Sequence, residues 1–356
     1  MKALELWREA ARNFSTGASK GLLSLLAFLV LVLVLGFIAV RSVAGVSLAG
    51  EQFRNSGASV FRIDADGAVN PAACDALATV EGIDAAGATR KGAALNFASL
   101  PELPTPYFEA TAGMAGLLGA EPGTLGAGLV LESELGSTLG LGPESKGTFL
   151  ASGQGPIRIA GTFSHPDDGR DATLNGAALG ISTDADSFDS CWARFWPPVD
   201  NPLELLSLSV SNGQTASEAS QWNPKLGRSF DPQAQFDALP LTTLVLAAAV
   251  ISAVLSVVLI RLRRLEIASA RHIGVSAWDM VGMVLAETSM WMVPAVLVVL
   301  SCFVLLALWN NPDPMSAAWL AGARVAVAAA GAWCVAAGVA AACIRQTHLV
   351  RYFQQR

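Results

Sequence analysis

Uncharged runs of apolar residues set the frame of this chain. They cover residues 21–40, 238–260, 288–312 and 325–344, and hold 20, 23, 25 and 20 residues. A helix rises about 1.5 Å per residue and a bilayer core is about 30 Å thick, so each run can span it. The pattern predicts a membrane α-helical fold with four transmembrane helices in a 1+3 arrangement. An α+β extracytoplasmic domain is inserted between the first and second spans. The spans are expected over 21–41, 238–260, 281–309 and 318–344, with the inserted domain over 42–237. A cytoplasmic connection over 261–280, a short outer loop over 310–317 and a cytoplasmic tail over 345–356 complete the chain. Ahead of the first span, Leu4, Trp7, Ala11 and Phe14 recur at helical spacing, with Arg8, Glu9 and Arg12 mostly off that face. Residues 1–20 therefore read as an amphipathic helix lying in the inner interface.

Inside the inserted domain the periodicity is mixed. Residues 59–63 are rich in strand formers and run into Asp64-Ala65-Asp66-Gly67, which reads as a turn. Asn70 and Pro71 stand as an N-cap and a first helical position, opening a short helix through about Val80. Residues 132–139 form a second short helix, stopped by Gly140. Strands are expected over 147–152 and 156–163, flanking Gly153-Gln154-Gly155, because Ile157, Ile159 and Phe163 alternate with Arg158, Ala160 and Thr162. A late strand is expected over 204–211, and the polar stretch 212–237 returns the chain to the membrane.

Charge sharpens the layout. Residues 42–237 carry 23 acidic and 10 basic side chains, while the rest carries 6 acidic and 13 basic ones. The basic residues lie beside the spans: Lys2, Arg8, Arg12 and Lys20, then Arg261, Arg263, Arg264 and Arg271, then Arg345, Arg351 and Arg356. By the positive-inside rule these segments, and both termini, are cytoplasmic. Arg41 and Arg324 depart from the rule near the outer ends of spans, where long side chains snorkel. Apolar residues make up 53% of the chain and charged ones 15%, against about 25% charged in soluble domains. Ser47-Leu48-Ala49 resembles a signal-peptide cleavage site, but the preceding run is longer than such a peptide's core and reads as an uncleaved anchor.

Candidate chemistry is sparse. The inserted domain has one histidine, His165, and no zinc helix, nucleophile elbow or Cys-x-x-Cys pair, so the chain is not expected to be an enzyme. Asp167, Asp168 and Asp171, and Asp184, Asp186 and Asp189, lack the spacing of a Ca²⁺ loop and read as solvated, so no metal site is expected. Cys74 and Cys191 are alone in an exported domain; they either pair or stand as two thiols. Cys302, Cys334 and Cys343 read as small packing residues of the spans. Trp192, Phe195 and Trp196 form core or a contact patch. Glu287 near the inner boundary and Arg324 near the outer are the polar side chains expected within the membrane. Glu287 either pairs with a basic neighbour or sits at the headgroups.

The most specific segment is 261–279. Leu262, Leu265 and Ser269, and Glu266, Ala270 and Ile273, recur at helical spacing, Gly274 breaks the helix, and Ser276 caps the next. Such a helix–turn–helix is a handle for a partner or an ordinary cytoplasmic loop. Arg263, Glu266, Ile267, Arg271, Ile273, Gly274 and Ser276 stand in the pattern Arg-x-x-Glu-Ile-x-x-x-Arg-x-Ile-Gly-x-Ser. That pattern resembles the coupling region of the MacB/FtsX (type VII) family of ABC-transporter permeases. Leu285-Ala286-Glu287 matches a motif early in the family's third span, and Glu134-Leu135-Gly136, Leu139-Gly140-Leu141 and 159–163 resemble parts of its periplasmic domain. The third span departs from the family in carrying Trp291 and Pro294 where glycine-rich helix is usual; Ala318, Gly322, Gly331 and Gly338 offer close packing in the fourth instead.

The resemblance implies a permease subunit in a bacterial cell membrane, docked through Arg261, Arg263, Arg264, Glu266, Arg271, His272 and Gly274 to a separate ABC ATPase. ATP and Mg²⁺ belong to that ATPase, and this chain carries no phosphate-binding loop or cofactor of its own. A second permease copy, identical or related, completes the complex in the lipid bilayer. The implied action is export or extraction of a substrate, driven by motion of the outer domain. The alternative is an FtsX-like transmitter that controls a cell-wall hydrolase, an extracytoplasmic protein partner, or senses a peptide. No nucleic-acid partner is implied.

Overall fold

The computed structural model describes residues 8, 12–13, 20–120, 128–142, 148, 150, 156–183, 186–211 and 219–345. Two compact units result, one from residues 1–49 and 232–356, the other from 50–231.

The helical unit is built on α1 (Gly21–Asn55), whose final residues belong to the other unit. The remaining long helices of this unit are Leu241–Leu262, Ala277–Leu308 and Ser316–Cys343. All four are long and apolar enough to cross a bilayer. α1 continues past the boundary expected at residue 41, because no glycine at positive φ or proline intervenes before Gly57 (φ +80°). Of the expected interfacial helix, Arg8, Arg12 and Asn13 are helical; Leu4, Trp7, Ala11 and Phe14 lie outside the described residues.

Small residues let these helices approach. A Cβ on Gly36 would come within 2.0 Å of the Phe303 ring, and one on Gly322 within 2.7 Å of Phe303 and Val40. Phe303, fully buried, sits in that double-glycine socket. Gly322 and Ala318, expected to offer close packing, pack inside this chain, while Gly331 is exposed. Trp291 meets Phe28 and Trp333 edge to face, at ring separations of 5.7 and 5.3 Å, and all three are buried. Ser252 and Ser256 donate to the carbonyls of Ala329 and Trp333 at 2.7 and 3.0 Å.

The sheet unit runs β1 (Val60–Val69), α2 (Pro71–Ala76), β2 (Ile83–Lys91), β3 (Leu95–Phe97), β4 (Leu100–Thr105), β5 (Tyr107–Ala110) and α3 (Ala112–Leu117). Then come β6 (Leu129–Glu132), α4 (Ser133–Leu139), β7 (Ile159–Phe163), β8 (Ala178–Ile181), β9 (Phe188–Phe195), α5 (Pro202–Ser207) and β10 (Ser220–Gln221). The main sheet has the order β10-β1-β9-β2-β5-β8-β6-β7, with β5–β8 and β6–β7 parallel. β3 and β4 form a separate hairpin. In the order of the chain α6 (Pro232–Asp237) follows, and then α7 (Leu241–Leu262), α8 (Arg264–His272), α9 (Ala277–Leu308) and α10 (Ser316–Cys343).

Asn70 caps α2 by accepting from the Ala73 N–H at 3.0 Å, and Pro71 opens that helix. The buried Glu132 carboxylate accepts from the N–H groups of Glu134 and Leu135, so α4 begins on an anion, and Gly140 ends it at φ +66°. Two expectations fail. The chain does not turn at 64–67; β1 runs through it with a bulge, because Gly67 takes positive φ while Asp189 accepts its N–H. The 204–211 strand is instead α5, opened by Pro202, with an isolated bridge only at Val210. The strand expected over 156–163 forms as β7, paired parallel with β6; of the strand expected over 147–152, Thr148 bridges Ile157 and Leu150 bridges Phe97, while residues 147, 149 and 151–155 lie outside the described residues.

Cys74 of α2 and Cys191 of β9 are joined across 117 residues. Trp192 and Phe195 are buried core and Trp196 is half-buried. Of the aspartates expected in solvated loops, Asp167 and Asp186 are exposed, while Asp168 pairs with Arg170 at 3.3 Å, Asp171 accepts from the Thr173 N–H at 2.7 Å and Asp189 accepts from the Gly67 and Lys91 N–H groups; Asp184 lies outside the described residues. No cluster among the described residues has the makings of a metal site.

Candidate functional site

At the end of α7 the chain meets Arg263, which caps that helix and is followed at once by α8. α8 ends at Ile273, Gly274 takes φ +104°, and the Ser276 hydroxyl accepts from the Asp279 N–H at 3.0 Å to open α9. The turn therefore follows from one glycine and one cap.

Arg263 is 8% exposed and Glu287 4%. The guanidinium donates to both carboxylates within reach: to Glu287 at 2.6 and 3.3 Å, and to Glu266 at 2.9 and 3.1 Å. Asn13 adds a third donor, reaching Glu287 Oε1 at 2.8 Å. Burial pulls the Arg263 pKa down, but the hydrogen bonds and charges of Glu266 and Glu287 outweigh it and hold the guanidinium above its ordinary value. Arg263 is thus a fixed cation that links α7, α8 and α9. Beside the pair lies a cavity of about 20 Å³, lined by Ser24, Ser256, Thr288 and the Trp291 and Trp333 rings. It has room for about one water.

The other positions divide sharply. Arg271 donates to the carbonyls of Ala342, at 3.4 Å, and Ile344, at the C-terminal end of α10, where a cation is favoured. Arg264 is half-buried, whereas Arg261 and His272 are exposed. Arg324 is exposed on α10. Arg41 donates to the Trp309 carbonyl at 2.9 Å and covers its ring, capping the end of α9. Cys74 and Cys191 belong to the sheet unit.

Two residues are added by the structure. Asn13 is a polar position in an amphipathic stretch, and its target was invisible without the packing. Trp278 is 85% exposed in the first turn of α9, beside Ile273, also 85% exposed. A bulky ring directly after a helix cap was the available signal. The turn therefore presents an apolar tip, while its base is an ion pair closed off from solvent.

Comparison with known proteins gives no match to any family model or curated protein. Among solved structures, the chain is similar to the periplasmic region of MacB from Actinobacillus actinomycetemcomitans, at 12% identity and TM-score 0.32, over 45% of this chain and 85% of that one. It is also similar to a domain of a protein assigned as a permease from Porphyromonas gingivalis, at 12% identity and TM-score 0.30, over 46% and 88%.

Proposed function

We propose that this chain is the permease subunit of a bacterial ABC transporter of the MacB/FtsX type, acting as a lever. The observation that carries the reading is the buried contact of Arg263 with Glu287, together with its bond to the exposed Glu266, which ties α8 to the base of α9. A force applied to an ordinary loop would be lost in the loop. Here a tilt of α8 must either break a desolvated ion pair or move α9 with it.

In this reading the connection and both termini are cytoplasmic, and residues 42–237 form the extracytoplasmic domain. A separate ATPase grips the exposed tip at Ile273 and Trp278, with Arg261 and His272 on the rim. Arg271 anchors the tip to the end of α10. ATP and Mg²⁺ act on the partner, and a second permease copy completes the assembly. The stroke passes through the spans to the outer domain, which exports or extracts substrate.

The test is ATPase stimulation in a purified complex of this chain with its ABC ATPase, sought first in the adjacent reading frame. Trp278→Ala is expected to lower stimulation about tenfold, the size of an interfacial aromatic hot spot, with membrane insertion unchanged. Glu266→Lys and Arg271→Glu should uncouple likewise. Full stimulation in all three variants would remove the docking role. Ligand-stimulated hydrolysis favours transport; an extracytoplasmic protein that co-purifies favours the FtsX-like transmitter.

A further inference from the structure

One face of the main sheet holds a cavity of about 400 Å³, within the size range of small-molecule sites. Its inner groups are bound to one another. Arg62 donates to Asp64 at 3.1 Å and to the Thr173 hydroxyl at 3.0 Å, and lies over the Trp192 ring. Asp189 takes the backbone N–H of Gly67 on one oxygen and that of Lys91 on the other, at 3.1 and 2.9 Å.

Two charged groups at the mouth are different. Asp66 and Lys91 both line the cavity and are exposed, and neither side chain bonds to or pairs with any described residue. Nor do they meet each other. Asp189 holds the backbone at Gly67, next to Asp66, and at Lys91 itself. Two residues before Lys91 on β2, Thr89 also lines the cavity and is 3% exposed. Its oxygen accepts from Trp192 Nε1 at 2.9 Å, and its own proton has no acceptor among the described residues. A buried hydroxyl proton without an acceptor is costly, and an incoming anion would satisfy it. Phe108 supplies an apolar wall.

A simple anion would face the Asp66 charge, and a simple cation would face that of Lys91. A molecule with both charges matches both sides at once. We propose that this cavity binds a small zwitterion, with its ammonium on Asp66, its anionic group on Lys91 and Thr89, and its short carbon chain against Phe108. Two sources share that chemistry, a free amino acid and the phosphoethanolamine headgroup of a lipid. The proposal does not depend on the coupling role of α8.

Calorimetric titration of the full-length protein in nanodiscs tests it. The probes are glycine, γ-aminobutyrate, ε-aminocaproate and phosphoethanolamine, with acetate and methylammonium as single-charge controls. One charge spacing should bind best, and the controls should not bind. Asp66→Asn and Lys91→Met should each weaken that binding about tenfold, the loss of one charge-assisted contact. Both side chains are exposed, so unchanged melting temperatures will confirm that the variants fold. Loss of amino-acid binding when phosphatidylethanolamine is added to the nanodisc assigns the site to the headgroup; retained binding assigns it to a soluble zwitterion. The proposal is overturned if no zwitterion binds, if the controls bind equally, or if both variants keep full affinity.

Discussion

The sheet unit fills its core with large rings, among them Phe97, Phe163, Phe188, Trp192 and Phe195, and adds a covalent cross-link. The helical unit buries fewer rings, Phe28, Trp291, Phe303 and Trp333, beside a run of alanines that includes Ala318, Ala326, Ala329, Ala337 and Ala341, and its helices are joined by serine hydroxyls and the Arg263–Glu287 pair. The contrast follows from solvent. In water, burying a large ring is itself the driving force. Between helices in lipid there is no such gain, so close approach and polar links decide the packing.

That contrast can be broken from either side. The largest effect is expected from the sheet unit: replacing Cys74 and Cys191 by serine frees a span of 117 residues. The chain-entropy model puts the loss at about 5 kcal/mol. Denaturant unfolding followed with and without reductant measures it, and the helical unit should be unaffected.

Next comes Glu287→Ala, which removes the buried partner of Arg263 in the helical unit and leaves its guanidinium only the exposed Glu266. Breaking a buried pair from one side costs about 3–5 kcal/mol, whereas replacing both partners by apolar residues is often neutral. Thermal unfolding in detergent should therefore show Glu287→Ala destabilised and the Arg263→Met/Glu287→Leu double variant largely restored. ATPase stimulation should stay low in both, which separates the pair's structural role from its mechanical one.

The smallest effect concerns Asp75. Burial raises its pKa above the ordinary 3.8, despite the hydrogen bonds from Thr111 and Gly113. The folded chain then holds that proton more tightly than the unfolded one. Its contribution is present below 3.8 and is lost as pH rises through the raised value. Asp75→Asn should remove this dependence, so the variant gains on the native chain as pH is raised. Urea titrations across that window decide the matter.

Local signals were the readable ones. The four apolar runs, the Asn70 cap, the Gly140 stop and the Gly274–Ser276 turn depend on neighbours a few residues away, and a residue's own chemistry is enough to place them. The 204–211 segment shows how such signals compete: its leucines suggested a strand, but Pro202 and Glu204 at the first turn favour a helix. What the chain could not disclose was distance. Glu287 chooses Arg263, 24 positions away, and Asn13, 274 positions away, only because three helices converge there. β7 chooses β6 through a parallel pairing, which no turn residue marks.

The two serine bonds between α7 and α10 have a mechanical corollary. Ser252 and Ser256 lie one helical turn apart and reach carbonyls that are also one turn apart, Ala329 and Trp333. They act as two notches on a ruler. Gradual sliding of one rod along the other would open both notches before either could close again, and the next register lies about 5.4 Å away. The second and fourth spans are therefore geared to travel as a single plank, and any stroke must be taken up by rotation or bending elsewhere.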